Sequence, residues 1–249
     1  MKKIGILDSG IGGFSLLKEL LDQNLDAQYF YISDNDNVPY GDKSQEFIYT
    51  RMKVLVNELL LQKVEAVLIA CNTATVETIE KLRSDFKVKF IGIEPYINYL
   101  NHTNHKDIAL ILTEATYRSS RFKELQASCD PNGIVEIFPL KNLALIIEKL
   151  SYKNFQSIKT EIKLELDSIN LSKFTELILG CTHYPLIKNF IEENYKLKCI
   201  DPNLAVIKEL KKQANLLVQE QQQSKSFLYN FNVHTGWKTK DLSQFFFFN

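Results

Sequence analysis

Short apolar runs of β-forming residues alternate with segments of helical periodicity along the first 195 or so residues of this 249-residue chain. That alternation constrains the fold more than any other feature. A parallel strand pair needs a crossover long enough to hold a helix, and a helix needs a sheet face to cover. The spacing predicts strands at 3–7, 28–32, 65–70, 89–93, 107–112, 134–138 and 176–179. It predicts helices at 14–21, 44–61, 73–83, 115–126 and 185–193, with further helical segments up to about Asp167. Ile48, Met52, Leu55 and Leu59 fall at helical spacing behind Ser44, a suitable N-cap.

Two pairs of segments look alike. Ala66 to Cys71 resembles Leu177 to Cys181, and Ile4 to Ser9 resembles Ile108 to Thr113. The expected architecture is α/β, with two pseudo-symmetric parallel-sheet domains and an active site in the cleft between them. The chain turns from one to the other near Glu94-Pro95. Residues 1–94 with 206–249 form the expected first domain, which carries the first cysteine. Residues 95–205 form the second.

Composition narrows the class. Hydrophobic residues make up 45% and charged residues 24%, and 30 basic residues balance 30 acidic ones. That balance gives no support to a nucleic-acid partner, which usually demands a basic excess. The apolar start at Ile4 is cut by Asp8 and a glycine loop, too soon for a signal sequence. No stretch suits a bilayer, so no membrane association and a cytoplasmic location are expected. Cys71, Cys129, Cys181 and Cys199 are widely spaced with no CxxC, which reads as free thiols.

Cys71 and Cys181 each end an apolar strand and precede a helical segment, the edge at which open α/β sheets bind ligands. A helix N-terminus there would hold a carboxylate and favour a thiolate. Asn72, Thr73 and Thr182 follow the cysteines and could cradle such a group. The ordinary reading of a strand-end cysteine is a small buried hydrophobe, and it is kept for Cys129 and Cys199. A redox pair is a further reading of Cys71 and Cys181, weakened by the lack of a thioredoxin-like motif. Two thiols in equivalent halves suit another task. Inverting a stereocentre takes a proton from one face and returns one to the other, with a thiolate as base and a thiol as acid.

Other motifs have plainer readings. Gly10-Ile11-Gly12-Gly13 lacks the last small residue of a dinucleotide fingerprint, since Ser15 stands there. The loop is expected to let backbone approach a small substrate. His102 and His105 form an HxxH in a polar stretch, read as an exposed loop with no metal. Gln219 to Ser226 reads as a helix end and loop, and Phe245 to Phe248 as a packing contact. Asp34 is expected to help organise the site, and Asp36 to be solvated.

The chain resembles the glutamate racemase family of the aspartate/glutamate racemase superfamily. The likeness rests on Asp8-Ser9-Gly10-Ile11-Gly12-Gly13, Val38-Pro39-Tyr40-Gly41-Asp42-Lys43-Ser44, Ala70-Cys71-Asn72-Thr73-Ala74 and Leu179-Gly180-Cys181-Thr182-His183-Tyr184-Pro185. Gly92 to Pro95 and Thr113 to Ser119 also fit, and the order is kept over most of the chain. The resemblance implies that Cys71 and Cys181 are the acid/bases, assisted by Asp8 and His183 respectively. It implies substrate binding by Asp8, Ser9, Tyr40, Gly41, Asn72, Thr73, Thr116, Thr182 and His183. It implies conversion of L-glutamate to D-glutamate for peptidoglycan and cell-wall synthesis, without cofactor or metal. Many members are homodimers, so a homodimer is compatible with it. Aspartate racemases tend to carry glutamate where His183 stands, which favours glutamate over aspartate or another amino acid.

Three places depart from the family pattern. Asn142 stands where members often carry an acidic residue, and Glu148 lies too far along to be given that role. Asn37 stands where many have arginine. Thr235-Gly236-Trp237 replaces a Ser-Gly-Asp. The missing charge at 142 motivates a second reading, a regulatory binding protein that kept the fold and lost turnover.

Overall fold

The computed structural model describes residues 1–103, 107–219, 226–231 and 236–244. The chain opens with β1 (Lys2–Asp8), α1 (Phe14–Asp22), β2 (Ala27–Ser33), α2 (Gln45–Leu61), β3 (Ala66–Ile69), α3 (Asn72–Asp85) and β4 (Lys89–Gly92). It repeats the plan with β5 (Ile108–Thr113), α4 (Glu114–Arg118), α5 (Ser120–Cys129), β6 (Val135–Leu140), α6 (Leu143–Glu148), α7 (Phe155–Asp167), β7 (Glu176–Leu179), α8 (Lys188–Tyr195) and β8 (Lys198–Ile200). It finishes with α9 (Asn203–Ala214), β9 (Ser226–Phe231) and β10 (Lys238–Asp241).

Two sheets result. One runs β10-β9-β2-β1-β3-β4 and the other β6-β5-β7-β8. Among the described residues the strands pair in parallel except β10 with β9, and an isolated antiparallel bridge joins Leu25 to Val218. The core of each sheet has one plan: its first strand lies between the second and third, and the fourth is outermost. The registers agree, with Ile4 beside Ala66 in one and Ile108 beside Glu176 in the other. The Ala70 N–H donates to the Leu7 carbonyl at 2.7 Å, and the Gly180 N–H donates to the Ile111 carbonyl at 2.7 Å. Cys71 and Cys181 therefore leave equivalent edges of equivalent strands.

Side-chain alternation divides the core. Ile4, Ile6, Ala66 and Leu68 face inward with Ala109, Ile111, Leu177 and Leu179 in one continuous cluster shared by both sheets. Leu7, Val67 and Ile69 face α2 and α3 on the far side of the first sheet. Ile108, Leu110, Leu112 and Ile178 pack with Phe122 on the far side of the second. Strands covered on both faces are uniformly apolar, which is why these runs do not alternate with polar residues.

Several expectations needed correction. The single helix expected over 115–126 is two helices, because Ser119 is extended and its hydroxyl accepts the Phe122 N–H. The helix expected from Pro185 starts as a 3₁₀ turn, Tyr184–Ile187, and becomes α-helical at Lys188. Cys129 is half-buried rather than buried. Ser226 opens β9 instead of ending a loop. The Ser44 cap is present, its Oγ accepting the Phe47 N–H at 3.2 Å. His102 and Asp36 are exposed. Residues 220–225, His105, Thr235 and the Phe245–Phe248 tail lie outside the described residues. Among the described residues, no helix is long and apolar enough to cross a membrane.

Candidate active site

Cys71 caps α3, its Sγ accepting the Ala74 N–H at 3.5 Å, and Ser9 Oγ lies 3.4 Å from the same sulfur. Asp8 ends β1 but spends its oxygens elsewhere. It accepts the Ser9 and Gly13 N–H groups at 2.8 Å each and the Tyr31 hydroxyl at 3.0 Å. Asp8 therefore reaches Cys71 through its charge and through Ser9. Burial, reinforced by the Asp8 charge, pushes the Cys71 thiol up to about 12. The expectation that a helix N-terminus makes this cysteine a thiolate is thus reversed. Desolvation of the anion and a neighbouring carboxylate outweigh the helix field and the bonds from Ser9 and Ala74. Burial also raises Asp8 above the ordinary carboxylate range, against the pull of His183 and the Gly13 N–H.

Cys181 keeps different company. A turn and the 3₁₀ segment follow it, so no α-helix starts at the sulfur. Its Sγ lies 3.7 Å from His183 Nδ1, and His183 Nε2 lies 2.6 Å from Glu148 Oε2. Burial opposes charge on His183, but the bonds and charges of Cys181 and Glu148 overcome it and hold the imidazole well above its usual value.

Glu148, set aside in the sequence as too far along, is the residue that stands behind His183. It ends α6, is buried, and accepts the Ile11 N–H at 3.1 Å as well as bonding His183. The carboxylate sought at position 142 is supplied here. Asn142 instead points to the exterior and bonds Glu165. The available signal was a carboxylate closing an otherwise apolar run, Leu143 to Ile147, a residue that folding must bury or match.

The two halves meet over these residues. A Cβ on Gly12 would lie 2.6 Å from Thr182 Oγ1 and 2.7 Å from His183 Nδ1, and one on Gly10 would lie 2.2 Å from Glu148 Oε2. The glycine loop after β1 is thus bare because it presses on the second half. Ser15 Oγ donates to the Thr182 carbonyl at 3.4 Å. Thr73 Oγ1 lies 3.2 Å from Thr113 Oγ1 and 3.3 Å from Thr116 Oγ1, joining α3 to the end of β5 and to α4.

Asp8, Ser9, Tyr40, Cys71, Asn72, Thr73, Thr116, Cys181, Thr182 and His183 are all buried. Gly41 is partly exposed and lines a cavity of about 490 Å³ with Pro39, Lys43, Thr113, Glu114 and Ala144. Asn72 Nδ2 donates to the Ile93 carbonyl at 3.4 Å, while its buried Oδ1 has no partner among the described residues. Among those residues no group of three metal-ligating side chains is present.

Comparison with known proteins decides the lineage. The Asp/Glu/Hydantoin racemase family profile matches residues 9–210. The chain belongs to this racemase family. Within it, the glutamate racemase of Campylobacter concisus is 35% identical over 208 residues, 82% of this chain and 77% of that one. Glutamate racemase 2 of Bacillus subtilis is 34% identical over 219 residues, 84% and 81% of the two chains. The crystal structure of glutamate racemase from Francisella tularensis in complex with D-glutamate is 28% identical. It covers 92% of this chain and 87% of that one, with a TM-score of 0.71. In this racemase-family chain the two sulfurs lie at equivalent edges of the two sheets.

Proposed function

We propose that this chain interconverts L- and D-glutamate without a cofactor, with Cys71 and Cys181 as the two acid/bases. The observation that carries the reading is the opposed setting of the two thiols. Cys71 is held as thiol by burial and Asp8, while Cys181 Sγ lies 3.7 Å from His183 Nδ1, whose other ring nitrogen meets Glu148. Two thiols in such differing settings can give and take a proton in turn, as inversion at carbon requires. The curated relatives are named glutamate racemase, and the Francisella structure holds D-glutamate, which supports that substrate here.

In this reading Asp8 and Ser9 serve the Cys71 side, and His183 and Glu148 the Cys181 side. Asn72, Thr73, Thr116, Thr182, Tyr40 and Gly41 hold the amino acid. The unpartnered Asn72 Oδ1 suits an ammonium group. The carbanion-like transition state is stabilised by oriented donors in a site from which water is excluded. The domain division stays at 1–94 with 206–249, and 95–205. The product would feed peptidoglycan precursors in the cytoplasm, from a monomer or homodimer. The motive for a binder without turnover, a missing carboxylate at 142, is removed by Glu148.

Purified protein incubated with L-glutamate in deuterated water is expected to yield D-glutamate carrying deuterium at the α-carbon. Recovery of undeuterated L-glutamate alone would overturn the proposal. A panel of other L-amino acids under chiral chromatography separates glutamate from aspartate specificity.

A further inference from the structure

Asp34 follows β2 and is fully buried. A carboxylate in such a place is stable only if its charge is matched and its lone pairs are filled. Both conditions are met. Arg51, on α2, grips it as a fork, Nη2 to Oδ1 at 2.6 Å and Nε to Oδ2 at 3.1 Å. Asn37 Nδ2 donates to Oδ1 at 3.0 Å, and Tyr40 Oη donates to Oδ2 at 2.7 Å. The Asp34 N–H in turn donates to the Asp8 carbonyl at 3.0 Å, which ties this cluster to the end of β1.

A neutral acceptor would have sufficed to hold one tyrosine hydroxyl. A buried ion pair adds direction. The planar guanidinium fixes the plane of the carboxylate, and the carboxylate then fixes where the phenol can lie. Tyr40 packs in the same apolar cluster as Cys71. Its neighbour Gly41 lines the 490 Å³ cavity beside Thr113. Hydrogen bonds therefore run from Arg51, whose side chain is 26% exposed, through Asp34 to Tyr40, whose ring shares the apolar cluster of the first sulfur. Arg51 itself bonds Asp34 and neither cysteine.

We infer that Arg51, acting through Asp34, is a positioning residue that locks the Tyr40–Gly41 segment over the Cys71 side of the site, setting substrate affinity and access to that sulfur. The statement about substrate rests on the racemase reading above. The statement about the lock rests on geometry alone. Proton transfer itself is left to the cysteines.

A simple staple between α2 and β2 makes a different prediction, since its loss would loosen the whole first sheet and its surroundings together. The experiment uses the full chain with Arg51→Met and Arg51→Lys. Removing the fork is expected to raise KM for L-glutamate by about 10- to 100-fold, the scale of a displaced positioning contact, with kcat nearly unchanged. Lysine restores the charge without the fork, so it should recover part of the loss. The second readout needs no turnover. Iodoacetamide modification is followed cysteine by cysteine in peptide digests. In Arg51→Met, Cys71 should react about tenfold faster, as for a local opening, while Cys199, buried in the second sheet, keeps its rate. Equal acceleration of Cys71 and Cys199 would overturn the lock in favour of general loosening. An unchanged KM with an unchanged Cys71 rate would overturn it outright. Should the native chain fail to turn over glutamate, the racemase reading falls, and the Cys71-to-Cys199 ratio still decides on the lock.

Discussion

Cys71 and Cys181 occupy matching ends of matching strands, yet their surroundings have opposite electrical character. Around Cys71 stand a carboxylate, a hydroxyl and the first turn of α3. Around Cys181 stand an imidazole and the carboxylate behind it. The first setting keeps a proton on sulfur, and the second places beside the sulfur an imidazole whose charged form is favoured. Equivalent backbone positions thus fix where the sulfurs lie, while side chains from elsewhere give each sulfur its own surroundings.

The largest effect tests whether both halves are needed. Cys71→Ser and Cys181→Ser should each reduce racemisation by about 10²- to 10⁴-fold, the range of a lost general acid or base. L and D enantiomers have equal free energy in achiral solvent, so kcat/KM must fall equally in both directions. Near-normal two-way turnover in either variant would sink the two-base scheme.

Next comes the feature that distinguishes the Cys181 side. Glu148→Gln should lower turnover by about 10²-fold, at the low end of that same range, and lower the pKa of His183. The sign follows from the raised folded value. Stability contributed by charged His183 is full below about pH 6.5 and is lost as pH rises through the higher folded pKa. In the variant that loss should be smaller and complete at lower pH, read as the midpoint of thermal unfolding against pH. An unchanged profile would mean that Glu148 does not hold the proton on His183.

The meeting of the halves can be strained directly. Gly12→Ala forces a Cβ to within 2.6 Å of Thr182 Oγ1 and 2.8 Å of the His183 nitrogen in the main chain. It should destabilise the chain by about 1–3 kcal/mol, measured by denaturant unfolding, and impair the Cys181 side first. The mildest change is Ser9→Ala. It removes the hydroxyl beside Cys71, a bond worth about 1 kcal/mol or roughly fivefold in rate. It should also raise the Cys71 pKa further, seen as slower alkylation at alkaline pH. Unchanged alkylation would detach Ser9 from that thiol.

Much of this was legible in the chain itself. The strands β1 to β7 and the helices between them follow from apolar runs and helical spacing, which are local properties. The Cys181–His183 contact was legible because the two are neighbours in sequence. The β9–β10 addition to the first sheet was not, since nothing local marks Ser226–Phe231 as the partner of β2. The break at Ser119 was hidden because a serine within a helical pattern gives no warning that its hydroxyl will start a second helix.

The sequence by itself determined which segments become strands, that two cysteines end equivalent ones, and which polar residues follow each. Those outcomes depend on residues a few positions apart. Only the tertiary structure decided that Glu148 stands behind His183, 35 residues away, and also meets the Ile11 N–H, 137 residues away. It likewise decided that Arg51 matches Asp34 and that Cys71 is the thiol that keeps its proton. Burial and charge pairing are properties of a finished cavity, and they act across distances in sequence that no local pattern spans.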